Sequence, residues 1–353
     1  IAVQGYLKLA AQGKYREALQ LIKRENPFPA VCGRICNRRC EDACTRGTVD
    51  QAVAIDEVKR FIAQQDLNAE TRFVPEKVIP RVDGEFSEKI AVIGGGPAGL
   101  SCAYYLAEKG YRPTVFEREA RLGGMLMNGI PSFRLEKDVV EAEIDILREL
   151  GVEFRCGVEV GKDVTIAQLR EQGYQGFYVA VGLQSGGRLN IPGDDAQGVT
   201  AGIDFMRRVN GGQETKLEGR VVVIGGGNIA ADVARTAVRC GAESVDLYCL
   251  EAYDDMPMGE EDRSECERDG ITVHAGWGQT EIVVEDGKCA GIRFRKCTRV
   301  KNDEGRFAPE FDDSVSEQAE CATVLYCIGQ KVDWRELLTG TAVEFNPNGT
   351  VKA

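Results

Sequence analysis

Two short glycine runs stand out as residues able to do chemistry: Gly94-Gly95-Gly96-Pro97-Ala98-Gly99 and Gly225-Gly226-Gly227-Asn228-Ile229-Ala230. Each follows a short apolar strand pattern, starting at Lys89 and at Arg220, and each opens a helical pattern. In such a turn the first glycine permits a sharp exit from the strand, and the second lets the backbone approach a pyrophosphate. The third, or an alanine in its place, lets the helix pack closely on the strand. The helix start offers amides and the positive end of its dipole to phosphate. Glu117 and Glu251 close the next strand of each unit, where an acid can accept hydrogen bonds from a ribose. Gly94, Gly96, Pro97, Ala98, Gly99 and Glu117, with Arg118 beside it, thus form one candidate nucleotide site. Gly225, Gly227, Asn228, Ile229, Ala230 and Glu251 form another. Two complete fingerprints favour two dinucleotides; the alternative is that the second fold is an empty copy.

A second constellation is Cys32, Cys36, Cys40 and Cys44, spaced C-x3-C-x3-C-x3-C. Four thiolates this close call for a shared cation or cluster. Zinc with four cysteines usually shows C-x2-C pairs, and a [4Fe-4S] cluster also takes four thiolates. The spacing alone leaves both open. The other nine of the thirteen cysteines are scattered and read as small, mostly buried apolar residues in a reducing cytoplasm. His274 is the only histidine, which leaves almost no room for Ser-His-Asp or Cys-His catalysis and none for a multi-histidine metal site. No side chain is nominated as catalytic, so the chemistry must come from a cofactor.

The elements that position these residues follow from periodicity. Residues 5–25 read as two short helices broken near Gly13, and Val53 to Gln64 as another. Asn26 to Thr48 is rich in Cys, Arg, Pro and Gly and reads as a loop region ordered by something other than a core. A polar stretch with Pro75 and Pro80 reads as a linker. The two glycine runs then head two βαβ units, and β-rich stretches appear at Phe177 to Val181, Gly291 to Val300 and Thr323 to Ile328. The fold class is α/β with two Rossmann-like dinucleotide-binding domains.

The net charge of -12 over 353 residues argues against nucleic acid as a partner. The uncharged run from Ile90 to Ala107 carries the first glycine turn in its middle, so no membrane span is expected. The chain begins at Ile1 with no targeting segment ahead of it and reads as a processed chain or a piece of a longer one.

Further residues carry a resemblance. Asn26-Pro27-Phe28-Pro29, the cysteine series, Val53-Ala54-Ile55, Leu122-Gly123-Gly124-Met125-Leu126 and Gly129-Ile130-Pro131 with Phe133-Arg134-Leu135 belong to it. So do both glycine runs, Asp232, Met256-Pro257 and Ile328-Gly329-Gln330. Together they span nearly the whole chain, which resembles the glutamate synthase small-subunit family. That family includes the flavin-containing part of dihydropyrimidine dehydrogenase and modules of bifurcating transhydrogenases and formate dehydrogenases. The resemblance implies FAD on the first fold, NAD(P)H on a second fold inserted within the FAD domain, and a small α-helical Fe–S domain ahead of both.

The domains expected are residues 1–70 (helical Fe–S), 71–88 (linker), 89–198 (FAD), 199–322 (NAD(P)) and 323–353 (a return segment of the FAD domain, cut short). The resemblance places Gly124 and Leu126 along the flavin and Arg134 near it, and adds Asp232 to the nicotinamide site. It also selects a [4Fe-4S] cluster over zinc, held by all four cysteines and surrounded by Arg34, Arg38, Arg39 and Arg46. Lys59 stands where some relatives place a Glu or Gln ligand. NADPH-linked relatives place an arginine pair where this chain has Leu250 and Glu251. A carboxylate there accepts from a ribose hydroxyl and repels a phosphate, so NAD(H) is expected over NADP(H). The family's closing Gly-Asp segment is not found before Ala353. The expected function is an NADH-linked flavin oxidoreductase exchanging electrons with a redox partner subunit or domain. The alternatives are the small subunit of an NADPH-dependent glutamate synthase, and a non-catalytic Fe–S relay or scaffold with an incomplete flavin site.

Overall fold

The computed structural model describes residues 1–78, 84–213, 215–334 and 336–352. The chain forms two compact units, one of Ile1–Gly182 with Trp334–Ala353 and one of Leu183–Asp333.

The first unit opens with five helices: α1 (Val3–Ala11), α2 (Tyr15–Lys23), α3 (Pro29–Ile35), α4 (Arg39–Asp42) and α5 (Ile55–Leu67). Tyr6, Leu19, Ile22, Ile55 and Ile62 make a core shared by α1, α2 and α5. The segment expected to be coreless is not: Phe28 and Val31 are buried in the main core of the unit. Pro29 starts α3, where its missing N–H costs nothing, and the apolar face of that turn packs inward. A βα series follows: β1 (Lys89–Ile93), α6 (Pro97–Glu108), β2 (Arg112–Glu117), α7 (Met125–Asn128), α8 (Lys137–Glu149), β3 (Glu153–Cys156), α9 (Ile166–Glu171) and β4 (Tyr174–Val179). The sheet runs β3-β2-β1-β4, all parallel.

The helical segment is fixed to this fold by a buried ion pair. Lys23 Nζ on α2 lies 2.8 Å from Glu143 Oε2 on α8, both side chains 2 % exposed. The other oxygen of Glu143 accepts the Ala30 N–H at 3.0 Å. The expected linker is anchored at its start, where Asp66 accepts from Phe73 N–H at 2.7 Å and pairs with Arg72 at 2.6 Å. Residues 79–83, Pro80 among them, lie outside the described residues.

The second unit contains β5 (Ser185–Gly186), β6 (Val199–Ala201), α10 (Gly202–Asn210), β7 (Arg220–Ile224), α11 (Asn228–Arg239), β8 (Ser244–Cys249), α12 (Glu260–Arg268), β9 (Thr272–Ala275), β10 (Trp277–Glu285), β11 (Lys288–Lys301), β12 (Phe307–Glu320), β13 (Thr323–Tyr326) and β14 (Gln330–Lys331). Its main sheet runs β6-β13-β7-β8-β9, all parallel, and β10-β11-β12 form an antiparallel meander. Residues 323–326 were expected in the FAD domain. They lie instead between β6 and β7, because Val324, Leu325 and Tyr326 form an apolar run suited to a strand buried on both faces. The unit therefore extends from 183 to 333, wider than 199–322. Its ends meet in a two-stranded ladder, Gly186 opposite Gln330 and Ser185 opposite Lys331.

No helix among the described residues is long and apolar enough to cross a membrane. The uncharged run from Ile90 is β1, the glycine turn and α6.

Candidate functional site

The first glycine loop is built between β1 and α6. Gly94 has φ +110°, and a Cβ there would stand 2.3 Å from Ala180 O, so only glycine fits. A Cβ on Gly99 would meet Gly94 O at 1.9 Å. Gly96, the residue capping α6, is different: its added Cβ would meet only Gly124 Cα, at 3.8 Å. The loop is thus tight where helix packs on strand and open at Gly96, where a diphosphate must approach the amides. Pro97 and Ala98 form the first turn of α6.

Glu117, at the end of β2, is 7 % exposed and turns back onto this loop. Its Oε2 accepts from Gly95 N–H at 2.6 Å and its Oε1 from Glu119 N–H at 2.9 Å. Burial pushes its carboxyl above the ordinary range, while these two N–H groups oppose the rise. Arg118 lies 3.5 Å from Glu119. Gly124 stands against Gly96, and Leu126 is buried in α7. Lys137, which the motif reading did not single out, donates to Leu126 O at 2.8 Å and Ile130 O at 2.5 Å and so ties down the α7 turn. Arg134 lies in the next turn, its N–H bonded to Pro131 O at 3.0 Å.

The second loop repeats the design. Gly225 has φ +141°, and a Cβ there would stand 2.5 Å from Cys327 O. Gly227, which caps α11, has nothing within 4 Å of an added Cβ. Ala230 is fully buried, and Ile229 is 47 % exposed at the helix start. Asn228 Oδ1 accepts from Gly259 N–H at 3.0 Å, and Met258 N–H donates to Gly226 O at 3.0 Å, so the segment after Met256-Pro257 is pinned to the loop. Asp232 sits one turn into α11. Glu251, two residues beyond β8, places Oε2 2.8 Å from where a Gly226 Cβ would be. Each loop therefore carries an acid folded over its middle glycine. Both loops fit their dinucleotides by the same measure, an open glycine beside a crowded one.

Beyond Glu251 lies a cavity of about 840 Å³, lined among others by Tyr253, Gly276, Lys296, Arg299 and Lys301. Lys296 Nζ is 4.8 Å from the Trp277 ring centroid, and Arg299 pairs with Asp303 and Glu310. The motif reading missed this basic wall. Its signal was the alternation of cations along Arg293-Phe-Arg-Lys-Cys-Thr-Arg-Val-Lys301. His274 is structural: Nε2 lies 2.8 Å from Asp246 Oδ1, and the ring stacks on Tyr248, which stacks in turn on Phe294.

Of the four expected cluster thiols, Cys32 lies in α3 and Cys36 caps its end, while Cys40 lies in α4 and Cys44 two residues beyond it. Among the described residues no three His, Cys, Asp or Glu are arranged to hold a metal ion. Cys32, on α3, points to Asn26 Oδ1 at 3.6 Å, and burial pushes its thiol up. Cys44 is exposed to backbone N–H groups of Val53, Arg46 and Gly47, which hold its thiol below the usual range. Each end of the series is thus engaged locally. Lys59 is 6 % exposed and paired with Asp56 at 2.5 Å. Arg34 pairs with Glu136, Arg38 with Glu57 and Arg46 with Asp50, so these arginines are already matched to acids of the chain. The nine other cysteines also remain thiols; five of them, Cys249, Cys266, Cys289, Cys297 and Cys321, are buried.

Residues 88–353 match the pyridine nucleotide-disulphide oxidoreductase family, and residues 1–71 match dihydropyrimidine dehydrogenase domain II, 4Fe-4S cluster. The chain is 35 % identical to the NADP(+)-dependent formate dehydrogenase subunit beta of Moorella thermoacetica, with 99 % of the chain covering 52 % of that protein. It is 34 % identical to the glutamate synthase [NADPH] small chain of Halomonas elongata, with 99 % covering 76 %. The chain therefore spans about half of the first relative and three quarters of the second. Both names carry NADP(H), against the expectation of NADH. FprA of Mycobacterium tuberculosis in complex with NADPH shares the fold, with TM-score 0.61 and 18 % identity over 73 % of each chain. The chain belongs to the pyridine nucleotide-disulphide oxidoreductase family, in its glutamate synthase small-chain-like branch, with residues 1–71 matching a 4Fe-4S domain.

Proposed function

We propose that the chain exchanges electrons between NADH and FAD and passes them to or from a partner subunit, through the kind of domain that residues 1–71 match. When bound, FAD supplies hydride acceptance from the nicotinamide and the release of electrons one at a time. The chain's own part is to hold both dinucleotides. Gly96 and the α6 start would take the FAD diphosphate, with Glu117 toward its ribose; Gly227, the α11 start and Glu251 would serve NADH. Lys137 ties down the backbone at Leu126, which the family resemblance places along the flavin with Gly124, and at Ile130. Cys32, Cys36, Cys40 and Cys44 would hold the [4Fe-4S] cluster of that domain, as the family resemblance implies. That both relatives are named as a subunit or small chain supports the partner.

The observation that carries the NADH preference is the Glu251 carboxylate lying over Gly226. There it would accept from the ribose 2′-hydroxyl and repel a 2′-phosphate. A second reading, the small chain of an NADPH-linked glutamate synthase, is favoured by the Lys296, Arg299 and Lys301 wall beside the same acid. Anaerobic flavin bleaching at equal concentrations of the two cofactors separates them. NADH should give the larger kcat/KM, and Glu251→Ala should lower it about tenfold or more, as expected for lost charge-assisted hydrogen bonds. A larger kcat/KM for NADPH, reduced by Lys296→Ala or Lys301→Ala, would establish the second reading.

A further inference from the structure

In the second unit Cys289, near the start of β11, and Cys321, between β12 and β13, place their sulfurs 3.9 Å apart. Their backbones are already joined next door, where Cys321 N–H donates to Ala290 O at 3.3 Å. The side chains are only 7 % and 5 % exposed, yet both line a cavity of about 300 Å³ with Arg220, Ala290, Glu320 and Ala322. Arg220 is half exposed at that wall, its guanidinium 3.3 Å from Asp246. Closing a disulfide needs the sulfurs to approach by about 2 Å.

We propose that Cys289 and Cys321 are a redox-modification site, a dithiol that a low-molecular-weight disulfide entering the Arg220 cavity converts to an intramolecular disulfide. The pair is asymmetric. The sulfur contact with Cys321 holds the Cys289 thiol below the usual range, whereas Cys321 is pushed well above it by that contact and by burial. Cys289 is therefore the attacking sulfur and Cys321 the resolving one. The Cys289 thiolate attacks one sulfur of the small disulfide and expels the other half as a thiolate, which takes a proton to become a thiol. Cys321 then gives up its proton and attacks Cys289 Sγ, and the second half leaves as a thiol. One small disulfide is reduced to two thiols, and the protein dithiol loses two hydrogens.

The test incubates the full chain with glutathione disulfide without denaturant, quenches it with an alkylating agent and maps the cysteines by peptide mass spectrometry. The expected result is a linked peptide joining Cys289 and Cys321, lost on treatment with dithiothreitol. Cys321→Ser should instead accumulate glutathione on Cys289, and Cys289→Ser should leave Cys321 as a free thiol. The proposal is overturned if Cys289 and Cys321 are both recovered alkylated while the exposed Cys40 and Cys156 carry glutathione. It is equally overturned if the link forms only after denaturant is added.

Discussion

Gly225 and Gly227 stand two residues apart under opposite constraints. Gly225 is held at φ +141° against Cys327 O, whereas nothing lies within 4 Å of a Cβ added to Gly227. Gly225→Ala should therefore destabilise the unit by more than about 1 kcal/mol, read as a lower midpoint in chemical denaturation. Gly227→Ala should keep the wild-type midpoint yet raise the KM for the nicotinamide cofactor about tenfold, because the methyl fills the space a pyrophosphate needs. Equal loss of stability in both variants would sink this division of roles. The loops and both acids were legible in the sequence because strand, turn, helix and acid follow one another along a single βαβ unit. The Lys296 wall and the Cys289–Cys321 contact were not, since each depends on the register of a meander that periodicity does not set.

At the scale of elements, α2 and α3 are joined to α8 by one carboxylate. Glu143 meets Lys23 Nζ, Ala30 N–H and, at 3.9 Å, Arg72. Breaking a buried pair by removing one partner leaves an uncompensated charge, at a cost of about 3–5 kcal/mol. Lys23→Met should show a loss of that size in urea denaturation of the first unit, and adding Glu143→Leu should recover part of it. No recovery in the double variant would mean that the pair is not the element that matters. α1 and α2, with their break at Gly13, were readable from apolar spacing, whereas α3 lies in a segment whose Cys, Arg, Pro and Gly content read as a loop. The attachment was not, because a lysine and a glutamate 120 residues apart carry no mark of having met.

At the scale of the molecule, the second unit has its own cores, and its two connections are paired as β5 and β14. Residues 183–333 expressed alone should unfold cooperatively and bind NADH within about tenfold of the full chain, a difference of ~1.4 kcal/mol. A fragment that shows no cooperative transition would end that claim. The placing of β13 also sets an order of events during synthesis. The first sheet has all its strands once residue 179 has left the ribosome. The second has a vacancy between β6 and β7 until residues 323–326 emerge, more than a hundred residues after β6. Throughout that interval β6 and β7 have unpaired edges facing the same gap, open to any strand that arrives early. This is where a nascent chain would most need a chaperone.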